Sequence, residues 1–174
     1  MMKTLVGALA VGGALLTAAP AHAASYLEFE NDSSAFDLVM SATGVTNGAL
    51  VGLATDNNSS LGQWRGETVG TSIDNLPQRR FVLRASEGSA AGPLCLAVKD
   101  DIQPGQAIGV KVATCNTLKA QMWTLTSGGG SLVRLRSEKY RTHVITRVSG
   151  PEFLTPLQMT TAPAGSLWVQ RTAA

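Results

Sequence analysis

The sequence predicts an all-β domain built from three similar four-stranded repeats, and three observations predict it. After Ser25 no segment keeps a sustained helical period of apolar residues. Short apolar or alternating runs of roughly four to eight residues recur instead, parted by Gly, Pro, Asn, Asp and Ser. Trp64, Trp123 and Trp168 each close a block of similar layout.

The first residues stand apart from that pattern. Lys3 supplies a positive charge, Leu5 to Ala19 contains no charged residue, and Ala21-His22-Ala23 ends the run with small residues. A cation, an apolar middle and a small-residue exit describe an export signal. The stretch is short for a bilayer and Pro20 closes it, so a membrane span fits worse. Residues 1–23 are therefore expected to be removed, with cleavage after Ala23 or else Ala24. Residues 24–174 are expected to form one secreted domain, extracellular or periplasmic.

The repeats are expected at about 25–69, 79–127 and 131–172. In the first, Tyr26 to Glu30 alternates, with Leu27 and Phe29 on one face. Leu38-Val39-Met40 follows as an apolar patch, and Leu53 stands eleven residues before Trp64. Gly70 to Gln78, with Asp74-Asn75 and Pro77, reads as a loop. The second repeat offers Phe81 to Arg84, Leu96-Ala97-Val98, and Val112 eleven residues before Trp123. Gly128-Gly129-Gly130 is a turn into the third, where Val133 and Leu135 face inward along Leu132 to Arg136. Val144-Ile145 and Leu157, again eleven residues before Trp168, complete it. One repeat alone has too little apolar surface to exclude water. Three around a shared axis can pool their aliphatics and indoles in one core, giving twelve strands.

Composition narrows the partners. The formal net charge is +2, and Lys3 belongs to the signal, so the exported part is close to neutral. That balance argues against nucleic acid and against stable membrane insertion. Cys95 and Cys115 both lie in the exported part, where an oxidising compartment favours joining them and a reduced buried pair is the alternative. A loop of that length contributes about 3 kcal/mol when closed.

The middle repeat is more specific. Cys95-Leu96-Ala97-Val98, Gly105, Ile108 to Val112, Cys115-Asn116 and Gln121-Met122-Trp123 resemble the ricin B-chain-type lectin family. The resemblance covers Phe81 to Leu125 well and the flanking repeats in degraded form. It implies a β-trefoil, an intra-repeat disulfide between Cys95 and Cys115, and a glycan as partner. In such a family the sugar pocket uses an Asp two residues after the first cysteine, an aromatic platform before the second, and an Asn before the Gln. Here those positions hold Ala97, Ala113 and Ala120, leaving Gln121, which in the family also has a structural role. The first and third repeats are expected to place Val39 and Ile145 at the Asp position. A galactose-type pocket is therefore not expected in any repeat.

Other groups near the pocket are candidates. Asp100 and Asp101 lie in the loop after the second strand of the middle repeat, as displaced ligands for a hydroxyl or as a solvated turn toward Pro104-Gly105. Arg134, Arg136, Lys139, Arg141 and Arg147 surround Tyr140, as a site for an acidic glycan or protein, or as the wet face of a strand. Tyr140 is the aromatic of interest there. The tentative carbohydrate-binding set is thus Asp100, Asp101, Gln121 and Tyr140. Catalysis has little support. His143 is the one histidine of the exported part, no G-x-S-x-G pattern appears, and neither a metal site nor a cofactor is expected. The expected function is a lectin-like module with a degenerate or non-standard sugar site. The alternative is a protein-interaction module, as a monomer or a subunit of a secreted complex, that engages a cell-surface protein.

Overall fold

The computed structural model describes residues 25–32, 37–99, 107–148, 156–161 and 166–173, so the expected export signal lies outside them. Among the described residues twelve strands follow in order: β1 Leu27–Asn31, β2 Leu38–Ala42, β3 Val51–Thr55, β4 Trp64–Thr71, β5 Pro77–Leu83, β6 Leu94–Lys99, β7 Ile108–Thr114, β8 Trp123–Gly129, β9 Leu132–Ser137, β10 Val144–Thr146, β11 Gln158–Thr160 and β12 Trp168–Thr172. The helical elements there are two 3₁₀ turns, Arg84–Ser86 and Lys119–Gln121.

Six strands close into a barrel. The ribbons β12–β1, β4–β5 and β8–β9 are antiparallel, and β1–β4, β5–β8 and β9–β12 join them edge to edge. Closure satisfies backbone groups that an open edge would expose. The remaining hairpins, β2–β3, β6–β7 and β10–β11, also link to one another. Their contacts are the β7–β11 pairing and the bridges Leu50 to Lys111 and Gly52 to Pro156. Three four-stranded units around one axis make this a β-trefoil.

The core carries the same symmetry. Trp64, Trp123 and Trp168 are fully buried, and so are Phe29, Phe81 and Leu135. Each indole Nε1 donates to a carbonyl of the capping hairpin in its own repeat: Met40 O at 3.1 Å, Leu96 O at 3.0 Å and Ile145 O at 3.2 Å. A large apolar body thus enters the core while its one polar atom finds a partner.

Three sequence expectations change. Gly70 to Gln78 is mostly ordered hairpin: Gly70 pairs with Gln78 and Thr71 with Pro77, leaving a short turn. The glycine turn is shifted. β8 runs through a bulge to Gly129, and Gly129 and Gly130 take φ of 101° and 58°, a region that disfavours side chains. Leu157 stands eleven residues before Trp168, as Leu53 and Val112 do before their tryptophans. But where Leu53 pairs with Met40 and Val112 with Leu96, the residue that pairs with Ile145 is Met159; both Leu157 and Met159 are buried. A side-chain period of two keeps both on the core face, so the pattern alone does not separate them.

Candidate functional site

The middle repeat builds a braced frame. Cys95 on β6 and Cys115 just after β7 are joined, with Cα atoms 5.0 Å apart, a separation suited to a disulfide. The turn Lys119–Gln121 then brings Gln121 under the strand end. Gln121 is 2% exposed; its Nε2 donates to Thr114 O at 2.8 Å and its Oε1 accepts from Asn116 N at 2.7 Å. Both ends of the amide hold backbone. Asn116 in turn accepts from Leu118 N at 2.9 Å through Oδ1.

Above this frame lies a shallow depression of about 170 Å³. Ala97, Ala113 and Ala120 supply its apolar lining, with Lys111, Asn116 and Leu118 among its other walls. The three alanines are the positions where the lectin resemblance places Asp, aromatic and Asn. The depression therefore coincides with the three positions at which the resemblance implies polar or aromatic side chains, and alanine stands at each. It is smaller than the roughly 300–1,000 Å³ clefts that enclose drug-sized ligands.

The other repeats need a correction of register. The carbonyls that hold the three indoles align Met40, Leu96 and Ile145. The residue after each, paired across its hairpin, is Ser41 with Gly52, Ala97 with Lys111 and Thr146 with Gln158. The position expected at Val39 and Ile145 is thus occupied by Ser41 and Thr146. Apolar patches aligned by sequence slip by two residues in the first repeat and by one in the third, because the hairpins differ in length. Both hydroxyls are buried and turn to nearby backbone, Ser41 to Ala42 O at 3.5 Å and Thr146 to Val144 O at 3.3 Å. Neither is a carboxylate.

The remaining nominated residues separate. Asp100 and Asp101 lie outside the described residues. Tyr140 is half-buried against the core, its ring centroid 5.8 Å from that of His143, with Lys139 Nζ 5.5 Å from its ring centre. The arginines beside it are tied to a residue that sequence reasoning passed over, Glu138. That carboxylate has a side-chain exposure of 1%, accepts from Thr124 Oγ1 and Gln78 Nε2, and lies 3.8 Å from both Arg136 and Arg141. Arg136 also pairs with Asp74 at the β4–β5 turn.

A second polar ladder was equally invisible in the sequence. The Tyr26 hydroxyl donates to Glu87, Arg65 bridges Glu87 and Glu67, and Glu67 also pairs with Arg80. At its side Arg84 stacks over the Tyr26 ring at 4.6 Å and donates to Gln63, whose Nε2 donates to the buried Glu28. The Glu87 hydrogen bond holds the Tyr26 phenol above its ordinary value, and the same carboxylate raises Arg65. Burial alone would raise the Glu67 carboxyl, but hydrogen bonds and charge from Arg80 and Arg65 outweigh it and hold it low. Every group here has a partner, so the ladder reads as structure. Among the described residues no group of three or more His, Cys, Asp or Glu is placed to hold a metal ion, and no helix is long and apolar enough to cross a membrane.

No protein-family model matches the chain, and no curated protein matches it by sequence. Solved structures do match. A designed threefold-symmetric protein, ThreeFoil, superposes with a TM-score of 0.69 at 14% identity, over 83% of this chain and 96% of its own. The Rhizoctonia solani agglutinin gives 0.66 at 16%, over 88% and 99%. An exo-β-1,3-galactanase from Clostridium thermocellum gives 0.70 at 21%, covering 85% of this chain, which spans only 30% of the galactanase. At these identities the likeness is one of fold. By strand pairing, by core symmetry and by comparison, the chain is a β-trefoil of the kind that the ricin B-type resemblance implied.

Proposed function

We propose that residues 24–174 form a secreted, non-enzymatic, ricin B-like carbohydrate-binding module with a non-standard site in its middle repeat. One observation carries the reading. The depression over Ala97, Ala113 and Ala120 is held by a disulfide and by a fully engaged Gln121. Such a floor suits the C–H face of a sugar ring or an acyl methyl group better than a row of hydroxyls. The resemblance to an agglutinin in fold supports it. A glycan array probed with the mature protein tests it. Retention is expected on a subset of glycans, reduced at least tenfold by Ala113→Gln, which fills the depression, with the thermal midpoint unchanged. No retention on any glycan, or retention indifferent to Ala113→Gln, would reject the site.

A second reading, a protein-interaction module, is favoured by the exposed apolar side chains Leu118 and Ile73, 63% and 71% accessible. It expects no glycan signal and a partner lost on Leu118→Ser.

A further inference from the structure

Charge is sorted along this chain although the total is near zero. Residues 25–60 hold five Asp and Glu and no Lys or Arg. Residues 107–148 hold seven Lys and Arg against a single acid, Glu138. That acid offers little to solvent: it is buried, accepts two side-chain hydrogen bonds and is shared by Arg136 and Arg141. Basic side chains therefore outnumber acidic ones on the face this segment forms, although Arg136 is also paired with Asp74 from outside it.

The face also has a concavity. A depression of about 350 Å³ lies between the turn Lys119–Gln121 and the chain after β9, lined by Leu118, Lys119, Ala120 and Lys139. No acidic side chain lines it among the described residues. Its neighbourhood continues through Tyr140, over which Lys139 lies, to Arg141, whose side chain is 44% exposed. Ammonium groups on the walls, an apolar floor and an aromatic at the margin form a combination that neither a neutral sugar nor a purely ionic partner would use in full.

We propose that this depression binds an acidic saccharide, a sugar unit bearing a sulfate or carboxylate within an extracellular polysaccharide. The anionic group lies between Lys119 and Lys139, and the ring rests on Leu118 and Ala120. The inference rests on the carbohydrate-binding reading but names the adjoining depression, which shares Leu118 and Ala120 with the alanine-lined one and adds Lys119 and Lys139. Exposed cations meeting an anionic chain make the affinity fall with salt.

Dextran, dextran sulfate and carboxymethyl dextran share one backbone and differ in the acid group, so they separate charge from sugar. Surface-based binding of the mature protein at 50 and 300 mM NaCl is the measurement. The acidic dextrans are expected to bind at least tenfold more tightly than dextran, with at least a tenfold loss at high salt. Lys119→Gln with Lys139→Gln should lower that binding at least fivefold at an unchanged thermal midpoint, and Ala113→Gln should leave it intact. Equal binding of dextran and its acidic forms would overturn the proposal, as would indifference to the lysine substitutions. Polyglutamate bound as tightly as dextran sulfate would overturn the saccharide assignment. Neutral-glycan retention on the array without acidic-dextran binding refutes this inference alone; silence in both assays refutes the carbohydrate reading as well.

Discussion

Replacing Trp123 tests the threefold core most directly. Its indole is fully buried and its Nε1 donates to Leu96 O at 3.0 Å. Trp123→Ala removes most of a side chain that buries on the order of 150–250 Å². At about 25 cal/mol per Å², and with part of the surface kept by alanine, the cost comes to about 3–5 kcal/mol. Trp123→Phe keeps a ring but orphans the Leu96 carbonyl, so about 2 kcal/mol is expected, most of it the desolvated acceptor. Because Trp64 and Trp168 make the same bond to Met40 O and Ile145 O, their Phe variants should cost the same within about 1 kcal/mol, the usual spread between contexts. Urea unfolding followed by far-ultraviolet circular dichroism gives each value. A loss below about 1 kcal/mol for Trp123→Ala would place the ring at the surface, since such losses are typical of exposed sites. A Phe variant as stable as the parent would show that the indole hydrogen bond contributes nothing.

Two other outcomes follow from packing and charge. Cys95→Ala with Cys115→Ala opens a loop of 20 residues' separation and should cost about 3 kcal/mol, or roughly 6–12 °C in thermal midpoint by calorimetry. Stability should also fall at both ends of the pH scale. The Glu67 carboxyl is held below its ordinary 4.5, so its contribution is complete above that value and vanishes as pH falls through the lowered one. The Tyr26 phenol is held above 10.0, so its contribution is complete below that value and is lost as pH rises through the raised one. Urea midpoints from pH 3 to 11 should show Glu67→Gln flattening the acid limb and Tyr26→Phe the alkaline limb.

The alanines at positions 97, 113 and 120 were legible in the sequence because the middle repeat keeps its motif spacing on both sides of them. The equivalent positions in the other repeats were not. Apolar patches such as Leu38-Val39-Met40 and Val144-Ile145 fit a strand in either of two registers, and only the carbonyl that each indole meets decides between them. Glu28 shows the same limit. Alternation along β1 predicted an outward carboxylate, but Gln63, arriving from the strand end before β4, covers it and supplies a donor.

The amino-acid sequence by itself determined the all-β class, the three repeats, the tryptophan core and the paired cysteines, because each is written in local periodicity or residue type. Tertiary structure alone decided which side chains face the depressions, that Glu138 is buried beneath its arginines, and that Tyr26 ends in an ion-pair ladder. The physical reason is separation along the chain. Tyr26 meets Glu87 across 61 residues, Gln78 meets Glu138 across 60, and Arg136 meets Asp74 across 62. No short-range pattern encodes such contacts; closing the barrel creates them.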